Sequence, residues 1–142
     1  MLQVKHLLAQ KGGAVQSIDP DASVLDAIRK MAEHTIGALL VMRDDQLVGV
    51  ISERDYARKV ILKGHSSRET PVHDIMTSPA ITVGPADTIE TCMHRCTDQR
   101  VRHLPVIENG RVIGVVSLGD LVKAVIDEQS EQIEHLQRYI AG

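Results

Sequence analysis

The stretch VGVISERD, Val48–Asp55, is written a second time as IGVVSLGD, Ile113–Asp120. Gly49 and Gly114 stand 65 positions apart, and so do Ser52 and Ser117, and Asp55 and Asp120. The same offset runs outward in both directions. It aligns Val41 with Val106, Val60 with Val125, Met31 with Cys96, Ser23 with Thr88 and Pro20 with Pro85. One register held over so long a span marks an internal duplication, which has to be recognised before any single element is assigned.

Each copy reads as strand, helix, strand, strand, helix. AVQSI and AITV are short β-type runs, each ending near a proline. DASVLDAIRKMAEH places Val24, Ala27, Ile28 and Met31 at helical spacing behind a capping Ser23. ADTIETCMHRCTD repeats that pattern with Ile89, Cys92, Met93 and Cys96, capped by Asp87 or Thr88. Paired strands follow, GALLVM with LVGVIS and HLPVIE with VIGVVS. Asn109-Gly110 joins the second pair, a tight-hairpin signal because both residues tolerate positive φ, and Asp44-Asp45 is the weaker form of the same turn. ERDYARKVILKG and LGDLVKAVIDEQ close the two copies as helices. A unit of roughly 60 residues buries little core by itself, and these strands are apolar on both faces. The expected fold is therefore α/β (α+β), with two β-α-β-β-α repeats packed face to face about a pseudo-two-fold axis. Its boundaries are 1–62 for the first repeat, 63–71 for a polar linker, 72–128 for the second repeat and 129–142 for a C-terminal helical extension.

Composition narrows the function. The chain has 142 residues and a formal charge of −3, which argues against a nucleic-acid backbone as partner. There is no Trp or Phe and only Tyr56 and Tyr139, so the core must be aliphatic and base stacking is not expected. No apolar run reaches the roughly 18 residues that span a bilayer, so no membrane partner is expected either. MLQVKHLLAQKGG is too short and too polar for a secretory signal. Cys92 and Cys96 make no disulfide framework, and a reducing cytoplasm is the expected setting.

A duplicated β-α-β-β-α unit, whose last strand ends in glycine, two apolar residues and serine with an aspartate three positions on, resembles a tandem cystathionine-β-synthase (CBS) domain pair, or Bateman module. The resemblance runs from about Leu2 to Val125 and suggests a stand-alone CBS-domain protein. It implies ligand sensing without chemistry: adenosine-containing ligands such as AMP, ADP, ATP, NAD(H) or S-adenosylmethionine, held in clefts between the paired repeats. By position, Ser52 and Ser117 would meet ribose or phosphate, and Asp55 and Asp120 would accept bonds from the ribose hydroxyls. Ile18, and Thr82 with Val83, would supply apolar contacts to adenine, while Ala38 and His103 would read its edge. The resemblance also implies a homodimer and a downstream protein that reads occupancy.

Physical chemistry fits that assignment without requiring it. A carboxylate can accept two charge-assisted bonds from vicinal hydroxyls, and a helix start favours phosphate. Arg54 and Arg58, one helical turn apart, could clamp that phosphate; Gly119 and Lys123 replace them in the second copy, where ligand binding would rest on Arg102 and His103, which stand where the first has Gly37 and Ala38. Solvated, idle arginines are the plain alternative. Ser-x-x-Asp is also nearly a capping box, and a duplicated fold repeats its caps whether or not it binds anything. Cys92 and Cys96 match the core positions Ala27 and Met31, so they are expected as buried structural residues, not metal ligands. No nucleophile or phosphate-loop motif is present, and no catalytic residue, cofactor or metal is expected. KGG, Lys11–Gly13, is taken as a three-residue excess in the first lead-in. In the tail, Ile126, Ile133, Leu136 and Ile140 share a face that Gln129 interrupts. Two arrangements suit that face, a helix folded back on its own repeat or a contact with a second chain. The expected function is that of a non-catalytic regulatory protein, of the energy-sensing kind, that binds an adenine nucleotide and signals occupancy by conformational change, with a structural dimerisation or docking module carrying vestigial clefts as the rival.

Overall fold

In each repeat the doubled glycine lies beneath a stretch of chain that crosses it. The computed structural model describes residues 2–141; positions 1 and 142, the outer limits of the expected boundaries, lie outside them. A β-carbon built on Gly49 would stand 2.8 Å from the Met76 sulfur and 2.8 Å from the Thr77 carbonyl oxygen. On Gly114 it would stand 2.6 Å from Leu8 Cδ2. Glycine is needed in mid-strand here because another segment approaches closely.

The elements run α1 (Val4–Lys11), β1 (Ser17–Ile18), α2 (Val24–His34), β2 (Ala38–Arg43), β3 (Gln46–Ser52), α3 (Glu53–Tyr56), α4 (Ile89–Gln99), β4 (His103–Glu108), β5 (Arg111–Ser117) and α5 (Leu118–Ala141). A π-helical turn, Ala57–Ile61, continues α3, and a 3₁₀ turn, Val72–Asp74, follows the linker. The expected caps are present: the Ser23 hydroxyl accepts from the Asp26 amide at 3.1 Å, and Thr88 accepts from the Thr91 amide at 3.1 Å. Asp44, Asp45, Asn109 and Gly110 all have positive φ, as a primed hairpin turn demands.

Strands β1, β2 and β3 form one sheet in that order, β1 parallel to β2 and β2 antiparallel to β3. Among the described residues, the second sheet consists of β4 and β5. There AITV makes a single parallel bridge, Val83 with Val106, in place of the expected strand. The cause is one residue. In the first copy the Leu40 amide donates to the Gln16 carbonyl at 3.1 Å. The matching position is Pro105, which has no N–H to give.

Residues assort into two compact units. One joins the residues up to Gly13 with Ile81–Glu108 and Ile113 onward; the other joins Ala14–Ala80 with Asn109–Val112. The lead-ins therefore cross over. The Val4 amide donates to Asp87 O and Lys5 to Pro85 O, each at 2.9 Å, seating α1 on the second repeat. In the other unit the Val72 amide donates to Ala22 O at 2.8 Å and His73 to Pro20 O at 3.0 Å. Each repeat is completed by the segment that precedes its sibling.

Both cores are aliphatic, with sulfur. Val24, Ala27, Met31, Leu39, Val41, Ile51 and Val72 fill one; Ile89, Cys92, Cys96, Leu104, Val106, Val116 and Val4 fill the other. Each large side chain buried this way contributes roughly 1.5–3 kcal/mol. Cys92 and Cys96 are buried and unpaired, and burial pushes the Cys92 thiol up to about 11. The tail does not fold back on its own repeat. Every residue from Gln129 to Ile140 is exposed, so among the described residues the apolar face stays open. Among the described residues, no helix is long and apolar enough to cross a membrane.

Candidate functional site

Strand β3 delivers Ser52 to the point where the sheet ends and α3 begins. Ser52 pairs across the sheet with Ala38, and the Glu53 amide donates to the Gly37 carbonyl at 3.0 Å. Both halves of a capping box form there. The Asp55 amide donates to Ser52 Oγ at 3.2 Å, and the Ser52 amide donates to Asp55 Oδ2 at 3.0 Å. The Ser52 hydroxyl also donates to Asp55 Oδ2 at 3.0 Å. On the other oxygen, Oδ1, Lys59 makes an ion pair at 3.2 Å, while its ammonium also donates to Ile75 O at 2.9 Å. Ile18 lies on the adjoining strand, opposite Val41. Arg54 is half-buried and Arg58 exposed, and among the described residues neither forms an ion pair.

The second repeat builds the same turn with a different lysine. The Ser117 amide donates to Asp120 Oδ2 at 2.9 Å and the Asp120 amide to Ser117 Oγ at 3.1 Å. Leu118 N–H reaches the Arg102 carbonyl at 2.8 Å, the counterpart of the Glu53–Gly37 bond. Lys11, at the end of α1, donates to Asp120 Oδ2 at 2.7 Å and to the Val115 carbonyl at 2.9 Å. Burial alone would raise the Asp120 carboxyl; the Lys11 ammonium and the Ser117 amide outweigh it and hold the group below its usual range. Burial lowers the His103 imidazole, against an opposing pull from Asp120.

An open groove of about 560 Å³ lies beside this turn, lined by Arg102, His103, Ser117, Leu118, Gly119, Val122, Lys123 and Ile126. It gathers three of the expected ligand residues, Arg102, His103 and Ser117. Asp120 is not on its wall, because its carboxylate is turned to Lys11. Thr82 is half-buried and its carbonyl accepts from Arg95 at 2.7 Å. Val83 sits differently from the apolar ligand contact expected of it: its side chain is 3 % exposed and belongs to the core, since its backbone is bonded between Pro105 and Ile107. Among the described residues, no three His, Cys, Asp or Glu side chains gather as a metal site would need.

Lys11 and Lys59 were not among the residues singled out from sequence. Lys59 was legible, being one helical turn beyond Asp55. Lys11 was not, because only the crossing of the lead-ins brings it to Asp120.

A profile of the CBS domain matches residues 13–62 and 72–127. The chain is 45 % identical over 127 residues to CBS domain-containing protein CBSX3, mitochondrial, of Arabidopsis thaliana, covering 86 % of this chain and 62 % of that one. A Methanopyrus kandleri relative is 31 % identical, with 63 % of its length covered. The chain thus spans somewhat over three-fifths of these relatives. Among solved structures, a candidate signal-transduction protein with CBS domains from Burkholderia ambifaria superposes with a TM-score of 0.87 at 44 % identity, covering 90 % of this chain and 96 % of that one. A CBS-domain containing protein from Agrobacterium tumefaciens gives 0.83 at 37 % identity, covering 87 % and 98 %. Matched twice by the domain profile, and by its own repeat at a constant offset, the chain belongs to the CBS-domain family as a tandem pair.

Proposed function

We propose that the chain is a non-catalytic regulatory protein that binds an adenine nucleotide at its Ser-x-x-Asp turns and signals occupancy to a downstream protein by changing conformation. The observation that carries this reading is the groove beside Ser117. Its volume of about 560 Å³ is that of a small-molecule site. Leu118 and Val122 offer apolar surface to a base, and Arg102 and Lys123 offer positive charge to a phosphate. Those cations favour AMP, ADP, ATP or NAD(H) over S-adenosylmethionine. In the first repeat Ser52, Asp55, Arg54 and Arg58, with Ile18 and Ala38, take the corresponding roles. A ligand shifts such a protein only by binding its two conformations with different affinity. A cytoplasmic setting, where buried thiols stay reduced, belongs to the same reading.

One observation favours the rival, a structural docking module. The serine and aspartate of both turns already satisfy each other as caps, and a lysine holds each carboxylate. Thermal unfolding of ligand-stripped protein against AMP, ADP, ATP, NAD(H) and S-adenosylmethionine separates the two. A nucleotide at 100 times its dissociation constant adds about 2.7 kcal/mol, and Asp55→Ala or Asp120→Ala should remove that gain for the repeat it serves. An unmoved curve with every ligand leaves the docking module.

A further inference from the structure

Among the described residues, the outer half of α5 is exposed along its length. Ile133 is 55 % exposed, Leu136 61 % and Ile140 83 %, and every residue between Gln129 and Ile140 is exposed with them. A dozen helical residues without packing are marginal in water, and these apolar side chains are not scattered. Ile126, Gln129, Ile133, Leu136 and Ile140 follow one another at steps of three and four. That is heptad spacing, which keeps one seam facing a partner helix through successive turns. Val122 continues the steps inward to the groove wall.

In this register the a positions are all isoleucine, Ile126, Ile133 and Ile140, and the outer d positions are Gln129 and Leu136. β-Branched residues at a with Leu at d favour a parallel two-stranded coil. The positions flanking the seam from Ile126 outward are Val125, Ser130, Gln132, Gln137 and Tyr139, none of them charged, while Asp127, Glu128, Glu131 and Glu134 lie away from it. Two identical helices can therefore lie side by side without opposing like charges. Gln129 chooses the alignment. In a parallel, in-register pair its amide meets its own copy across the axis; in an antiparallel pair it faces isoleucine and loses its hydrogen bonds.

We propose that α5 pairs with α5 of a second copy of this chain as a short parallel coiled coil over Ile126–Ile140, its register fixed by Gln129. The test is Leu136→Cys in the full chain under mild oxidation, a d position that leaves Gln129 in place. The native thiols are buried and stay out of the reaction. A parallel, in-register pair brings the two new thiols together, and most of the protein should become a disulfide-linked dimer. Adding Ile133→Asp to the same chain should reduce that yield at least tenfold, while circular dichroism of the variant stays that of the folded protein, since Ile133 is 55 % exposed in the protomer. No covalent dimer from Leu136→Cys, or a yield that Ile133→Asp leaves unchanged, overturns the proposal.

Discussion

Asp55 and Asp120 stand at the same point of two repeats, each bonded to the serine three residues before it, yet a different lysine reaches each. Lys59 comes from the turn immediately after Asp55. Lys11 comes from a helix 109 positions away in sequence. What duplication preserved is the local chemistry of strand end and cap. What diverged is the tertiary neighbour, and with it the electrostatics of the carboxylate. The same division shows at the glycines: Gly49 lies under backbone as well as a side chain, whereas Gly114 lies under the tip of Leu8 alone.

The glycines give the largest test of that contrast. Gly49→Ala must push against the Thr77 carbonyl and should cost about 2–3 kcal/mol, while Gly114→Ala needs only a Leu8 rotamer change and should cost about 1 kcal/mol. Urea unfolding of the two variants compares them, and equal losses would mean that the crossing lead-ins are equally rigid. A smaller effect is expected at the caps. The Ser52 hydroxyl both accepts from the Asp55 amide and donates to its carboxylate at 3.0 Å, whereas the Ser117 hydroxyl accepts from the Asp120 amide. Ser52→Ala should therefore cost about 1–2 kcal/mol and Ser117→Ala about 0.5–1 kcal/mol. The smallest effect concerns acid. The folded Asp120 carboxyl titrates below its unfolded value, so its stabilisation is full above that value and is lost as pH falls through the folded one. Lys11→Met removes the strongest of the interactions that lower it and should flatten the stability profile below about pH 4, by under about 1 kcal/mol for so exposed a pair.

Much of the fold was legible because it depends on neighbours a few residues apart. Ser23 and Thr88 cap helices, Asn109-Gly110 turns a hairpin, and Cys92 and Cys96 take the core places of Ala27 and Met31. Even the failure of AITV to form a strand was written in the sequence, as a proline where the first repeat has Leu40. The candidate turns were found for the same reason: Ser-x-x-Asp is a local pattern. Contacts between distant segments were hidden. A constant 65-residue offset aligns the repeats but says nothing about which lead-in packs on which repeat. Lys11 therefore read as part of a spacer, and Val83 as a ligand contact when its side chain is core.

The crossed lead-ins also set an order of assembly during synthesis. The first repeat can be closed as soon as the linker that follows it, with Val72 and Met76, leaves the ribosome. Helix α1 is made before both repeats, yet its seat on the second repeat appears only after the first repeat and the linker. At about 5–20 residues per second, Lys11 waits on the order of 5–20 s before Asp120 exists. Through that interval Val4, fully buried in the finished fold, is carried on a nascent chain with its own partner still untranslated.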